Sequence, residues 1–225
     1  MCGASILHAG SNFQDASMCI HIRTIGTVVS ISASRDERVS WFRRRLDAEF
    51  QTTNHVGTAT LDMYFFPIFH KAQFYVMCIS FKHAAFVIID SSSTANMGIV
   101  MYGIMPEELR DLLAAYLDRK QHIARALCLR NMQPERMQLA LSDTPTNGDS
   151  GVYAMRHMEA FVGQDPRCWQ CGLGTGGPGE IENMRKRFLH NILLCTVNGN
   201  MHNIRTRAGE YDRHRTEQLL TGAVK

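Results

Sequence analysis

Three apolar runs stand almost back to back in this chain: "MYFFPIF" (63–69), "QFYVMCISF" (73–81) and "AFVIID" (85–90). Each has the length of a strand, and only Lys82-His83-Ala84 separates the last two. A strand that faces water on one side alternates polar and apolar residues, whereas one covered on both sides does not. These runs do not alternate. They predict a hairpin and a third strand buried on both faces, and therefore helices packed above and below them. Pro67 sits inside the first run and has no N–H for a ladder, so a strand edge or a bulge is expected there.

The flanking segments supply the helices. Val39, Phe42, Leu46 and Phe50 recur at helical spacing, with Asp36 as a candidate cap. Pro106 opens a second helix, with Glu107 and Glu108 in its first turn and Leu109, Leu112, Leu113, Tyr116 and Leu117 on one face. Val152, Met155, Met158, Phe161 and Val162 predict a third helix after Gly151, and Ile181, Met184, Phe188 and Ile192 a last one. "TIGTVVSISAS" (24–34) and "RMQLAL" (136–141, alternating at Met137, Leu139 and Leu141) read as further strands. The order of helix, hairpin, helix, strand and two helices is that of an α+β fold with a small central sheet.

With 225 residues, 45% of them hydrophobic, the chain can bury a sizeable core without covalent staples. A net charge of +3 is too small to argue for nucleic acid, and Arg43-Arg44-Arg45 lies in a mixed-charge segment that reads as a solvated helix face. The seven cysteines (Cys2, Cys19, Cys78, Cys128, Cys168, Cys171, Cys195) are odd in number and scattered, which suggests reduced thiols in the nucleus or cytoplasm. No window approaches the ~18 apolar residues of a membrane span. The first residues lack the basic and apolar regions of a secretory signal. Cys168-x-x-Cys171 has zinc-site spacing without a second pair, so no metal is expected. "GLGTGGPG" (172–179) lacks the Gly-Lys-Ser/Thr ending of a phosphate-binding loop and reads as a flexible connection. No cofactor is expected.

The chemistry gathers at "TPTNGDSGVYAMRHMEAF" (144–161), where a polar loop runs into a helix at Ser150. A side chain at that point meets unpaired backbone N–H groups and the positive end of the helix dipole. Both lower the pKa of a thiol and stabilise an oxyanion. Gly151 lets the backbone come close to a substrate carbonyl. Asn147, through its side chain, and Gly148 and Ser150, through their backbone, are candidate oxyanion donors. Taken alone, Asp-Ser-Gly before a helix is more often a plain cap than a nucleophile.

The wider context changes that weighing. "GDSGVYAMRHMEAFVG" (148–163) resembles the nucleophile helix of the Ulp1-like cysteine peptidases, which process SUMO and related ubiquitin-like proteins. Its "MRHME" run is similar to plant members, many of them carried by transposable elements. "FFPIFHKAQFYVMCISFKHAAFVIIDSSS" (65–93) resembles the family's proline-bearing strand, its His-aromatic pair and its strand ending in Asp-Ser, here Asp90-Ser91. "IENMRKRFLHNILLCTVN" (181–198) resembles the closing helix with its terminal Asn. The resemblance implies a papain-like α+β fold over residues 61–200. Residues 1–60 would then be a poorly matched remnant of the substrate-groove lobe, and 201–225 a polar tail. It also implies hydrolysis of the peptide or isopeptide bond after the Gly-Gly tail of a modifier, with SUMO or another ubiquitin-like protein as partner.

Carried over residue by residue, the family's nucleophilic cysteine falls on Ser150 and its base histidine on Gln73. Phe74 stands where a Trp usually follows, and the acid falls on Asp90, seventeen positions after Gln73. The oxyanion glutamine falls near Thr144, and Phe74, Asn147, Gly148 and Gly151 would meet the substrate. Of the four catalytic positions only Asp90 matches. A serine hydroxyl is far harder to ionise than a thiol, which titrates near ~8.5, so it depends on a base, and Gln73 cannot accept a proton. A positioned base contributes roughly 10²–10⁴-fold, so the expectation is a pseudo-peptidase that at most holds a modifier. An engineered trap would need only one change, and Gln73 is a second. His70, three positions before Gln73, is an alternative base for an active enzyme, but an odd count along one strand would turn it to the other face. A third reading is a transposon-derived remnant that binds nothing. His157, seven positions after Ser150, reads as a packing or surface residue.

Overall fold

The computed structural model describes residues 17–19, 33–52, 61–70, 72–91, 102–137, 139, 148–165, 169, 171–173, 178–196 and 198–222. Five strands form one sheet in the order β1 (Ser17–Cys19), β2 (Met63–His70), β3 (Gln73–Ser80), β4 (Ala85–Ile89), β5 (Pro134–Arg136). The central three are antiparallel, and each outer strand runs parallel to its neighbour. Among the described residues six helices accompany them: α1 (Arg35–Thr52), α2 (Met105–Arg119), α3 (Ile123–Asn131), α4 (Ser150–Ala160), α5 (Pro178–Leu193) and α6 (Met201–Gly222). The α+β class expected from the apolar runs is the one observed.

The two-face burial of the central strands is borne out residue by residue. Tyr64, Phe66, Ile68, Tyr75, Met77, Ile79, Phe86 and Ile88 point into one core with α1, α2 and α3. Met63, Phe65, Val76, Cys78, Val87 and Ile89 point into a second core with α4, α5 and the segment carrying Trp169 and Leu173. Burial of each large side chain is worth roughly 1.5–3 kcal/mol, so both layers are needed to cover the hairpin. Pro67 pairs with Val76 at a position where, by the alternation of the ladder, its nitrogen faces away from β3. On that side the described β1 pairs only with Met63 to Phe65, so among the described residues the missing N–H costs no ladder bond, as expected for an edge.

Several elements differ from the sequence reading. The cap of α1 is Ser34, not Asp36: Ser34 and Glu37 form a reciprocal capping box, in which the Glu37 N–H donates to Ser34 Oγ (3.3 Å) and the Ser34 N–H to Glu37 Oε2 (2.8 Å). Among the described residues the fifth strand is Pro134–Arg136, with Met137 and Leu139 outside it, and 138, 140 and 141 of the expected strand at 136–141 lie outside the described residues. β4 ends at Ile89, and after the Met137 N–H donates to the Ile88 carbonyl (2.8 Å) its ladder has run out. The expected strand at 24–34 falls almost wholly outside the described residues. Val162 is exposed, because α4 ends at Ala160. α5 begins at Pro178, inside the run read as a loop, and proline suits a first helical turn. The reading also passed over α3 and α6. Helix α6 is largely exposed and polar, and its few apolar residues, Met201, Ile204 and Tyr211 among them, give only a weak apolar period.

His157 lies on the inward face of α4, 1% exposed, with ring contacts to Tyr153 and Trp169 and, among the described residues, no hydrogen-bond partner on either ring nitrogen. Burial drives its pKa down to about 3; Asp90 opposes the shift and Arg156 adds to it. The unfolded chain therefore binds a proton near 6.5 that the native state refuses until about 3. Stability is full above pH 6.5 and falls as the pH drops through that window, at up to about 1.4 kcal/mol per pH unit. Urea midpoints measured from pH 7 to pH 4 should show this decline, and His157→Phe should flatten it.

Candidate active site

Ser150 is the first residue of α4 and is 6% exposed. Its hydroxyl oxygen accepts the backbone N–H of Phe74 at 3.1 Å. The register explains why that amide is on offer. The two-residue connection between β2 and β3 makes His70 and Gln73 a hydrogen-bonded pair, so by alternation the Phe74 amide faces β4. Pairing between β3 and β4 begins only at Val76 and Ile89, and Ser150 takes the donor left over. The Phe74 ring lies over Gly151, where an added Cβ would stand 3.5 Å from it. Phe69, directly across the ladder and 55% exposed, stacks on Phe74 with ring centroids 4.6 Å apart.

Gln73 and Asp90 both fall on the strand positions that face the α1–α3 layer, one at the start of β3 and the other just past the end of β4. Asp90 is buried and engaged: the Tyr102 hydroxyl donates to its Oδ2 at 2.7 Å, and the Arg136 guanidinium stands 3.9 Å from the same oxygen. Its negative charge, after burial, helps push the Tyr75 and Tyr102 hydroxyls well above the usual tyrosine range. Sequence reasoning found Asp90 but neither partner. Tyr102 follows a sequence without period, and Arg136 is a lone cation in a short strand.

The expectation that His70 would face away from Gln73 is corrected by the register. The two residues do not lie three apart on one strand; they are cross-strand partners that close the hairpin, so their side chains leave the same face. Parity along a strand does not carry across a turn. His70 is exposed there. Gly148 precedes the helix at the surface, its carbonyl held by Arg185 of α5 at 3.1 Å. Thr144 and Asn147 lie outside the described residues, as does Cys168. Among the described residues no cluster of three or more His, Cys, Asp or Glu could hold a metal ion. No helix among them is long and apolar enough to cross a membrane.

No family model and no curated protein sequence matches the chain. Solved structures do. The C-terminal Ulp1 protease domain in complex with Smt3, the yeast ortholog of SUMO, superposes with a TM-score of 0.56 at 14% identity, over 78% of this chain and 67% of that one. SUMO protease Ulp1 with its catalytic cysteine oxidized to a sulfonic acid gives 0.53 at 13% identity, over 78% and 68%. A de-sumoylating protease gives 0.52 at 12% identity, over 92% of this chain and 79% of the other. The two-faced hairpin, the helix that starts at Ser150 and the layers around them thus form the fold of the Ulp1 SUMO proteases.

Proposed function

We propose that this chain is a pseudo-peptidase of the Ulp1-like kind: a protein that keeps the fold, has lost the hydrolytic chemistry, and at most recognises SUMO or another ubiquitin-like modifier. The observation that carries the reading is the bond from the Phe74 N–H to Ser150 Oγ. A serine oxygen is a good acceptor for a partly buried amide and a thiol sulfur is a weak one, so the hydroxyl has a structural task that needs no ionisation. Gln73, at the base position, cannot take its proton. Asp90, at the acid position, is bonded to Tyr102 and near Arg136 instead of orienting an imidazole. Phe74 and Gly151, with Gly148 and Asn147, are the proposed modifier contacts, and Thr144 stands in for the oxyanion glutamine. The "MRHME" run further supports a plant, transposon-borne origin, with residues 61–200 as the peptidase domain, 1–60 as a remnant of the groove lobe and 201–225 as an appended tail.

A second reading keeps catalysis, with Ser150 as nucleophile and His70 as base. It is favoured by the register that sets His70 beside Gln73 on one face. Titrating the purified chain with SUMO by calorimetry, alongside cleavage of a SUMO precursor, separates the readings. Binding without cleavage is the expected outcome. Cleavage abolished by both Ser150→Ala and His70→Ala would replace the proposal with the second reading, and neither binding nor cleavage would leave a remnant.

Two further outcomes follow from the assigned roles. Tyr102→Phe deletes a buried hydroxyl that donates to a carboxylate and should cost about 1–3 kcal/mol, read from the urea midpoint. Restoring Gln73→His with Ser150→Cys should revive precursor cleavage if only the reacting groups were lost. Unchanged silence from the double variant would move the defect to the groove or to the loop around Thr144.

A further inference from the structure

Helix α4 begins without the usual fastening. Asp149 occupies its N-cap position and is a residue type that normally caps, yet its side chain makes no capping bond. The carboxylate turns outward to the guanidinium of Arg185 on α5, and the same Nη2 also bonds the Gly148 carbonyl at 3.1 Å. Arg185 falls at helical spacing between Ile181 and Phe188, both buried, so the stripe that packs α5 into the core carries its side chain towards the start of α4. The first turn, whose height decides whether Ser150 meets the Phe74 amide, is thus held from a neighbouring helix.

We infer that Arg185 is a positioning residue of this site, a clamp that holds the Gly148–Asp149 turn and through it the bond between Ser150 and Phe74. The clamp is a property of the turn itself and is independent of what binds there. Any ligand lying along Phe74 and Gly151 meets a surface that Arg185 keeps in register. The two N–H groups of one Nη2 serve the carbonyl and the carboxylate at once.

The test is amide hydrogen exchange on the isotopically labelled full chain, with the Phe74 N–H as reporter. Ser150→Ala sets the rate expected when the acceptor is gone. Arg185→Ala should accelerate Phe74 exchange about tenfold towards that limit, while Val76, paired to Ile89 in the ladder, keeps its rate. Asp149→Ala should do the same in part, and Arg185→Lys should recover part of the loss. An unchanged Phe74 rate in Arg185→Ala overturns the inference. So does equal acceleration at Phe74 and Val76, which would mean general loosening, or Arg185→Lys behaving no better than Arg185→Ala. Should Arg185→Ala fail to fold, Arg185→Met, which keeps the apolar stem and removes every donor, gives the same comparison.

Discussion

The strands β2, β3 and β4 are apolar on both faces, and a sheet of that kind has no stable existence until both faces are covered. That requirement brings α1, α2 and α3 to one side and α4 and α5 to the other, and it leaves polar residues nowhere to go except the strand ends. The site is the direct result. Gln73 opens β3, Asp90 follows the last residue of β4, and the helix carrying Ser150 arrives where the ladder between those strands stops.

What happens at that end is governed by backbone bonding more than by side-chain chemistry. The ladder leaves one amide, that of Phe74, beyond the first paired residues, and a partly buried N–H without a partner is costly. Ser150 answers it. The same end holds a buried carboxylate, which needs donors as well, and Tyr102 supplies one. The Ser150 hydroxyl and the Asp90 carboxylate thereby keep the strand ends satisfied. Helix α5 is finished in the same way: the Asn198 side chain donates to the Ile192 and Leu193 carbonyls, which have no partners within the helix.

Much of this was legible in the residues. The unbroken apolar runs called for two covering layers, Pro106 marked the start of a helix to within a residue, and Asp-Ser-Gly before an apolar-periodic segment located the turn at Ser150. Other features carried no periodic signal. Helix α6 is largely polar and exposed, with Met201 and Ile204 only part-buried. Tyr102, Arg136 and Arg185 acquire their roles from residues 12, 46 and 36 positions away. The Ser34–Glu37 box was written in the sequence and could have been read from its spacing.

The sequence by itself determined the class of fold, and that position 73 holds a glutamine, a side chain unable to accept a proton. Those depend on residue type and local period, which the chain carries in order. The tertiary structure decided which amide Ser150 serves, that His70 stands beside Gln73 on the same face, and that Asp90 is bonded to Tyr102. These are matters of register, and register follows from where β4 stops and how the hairpin closes, a result of pairing between strands that no single segment contains.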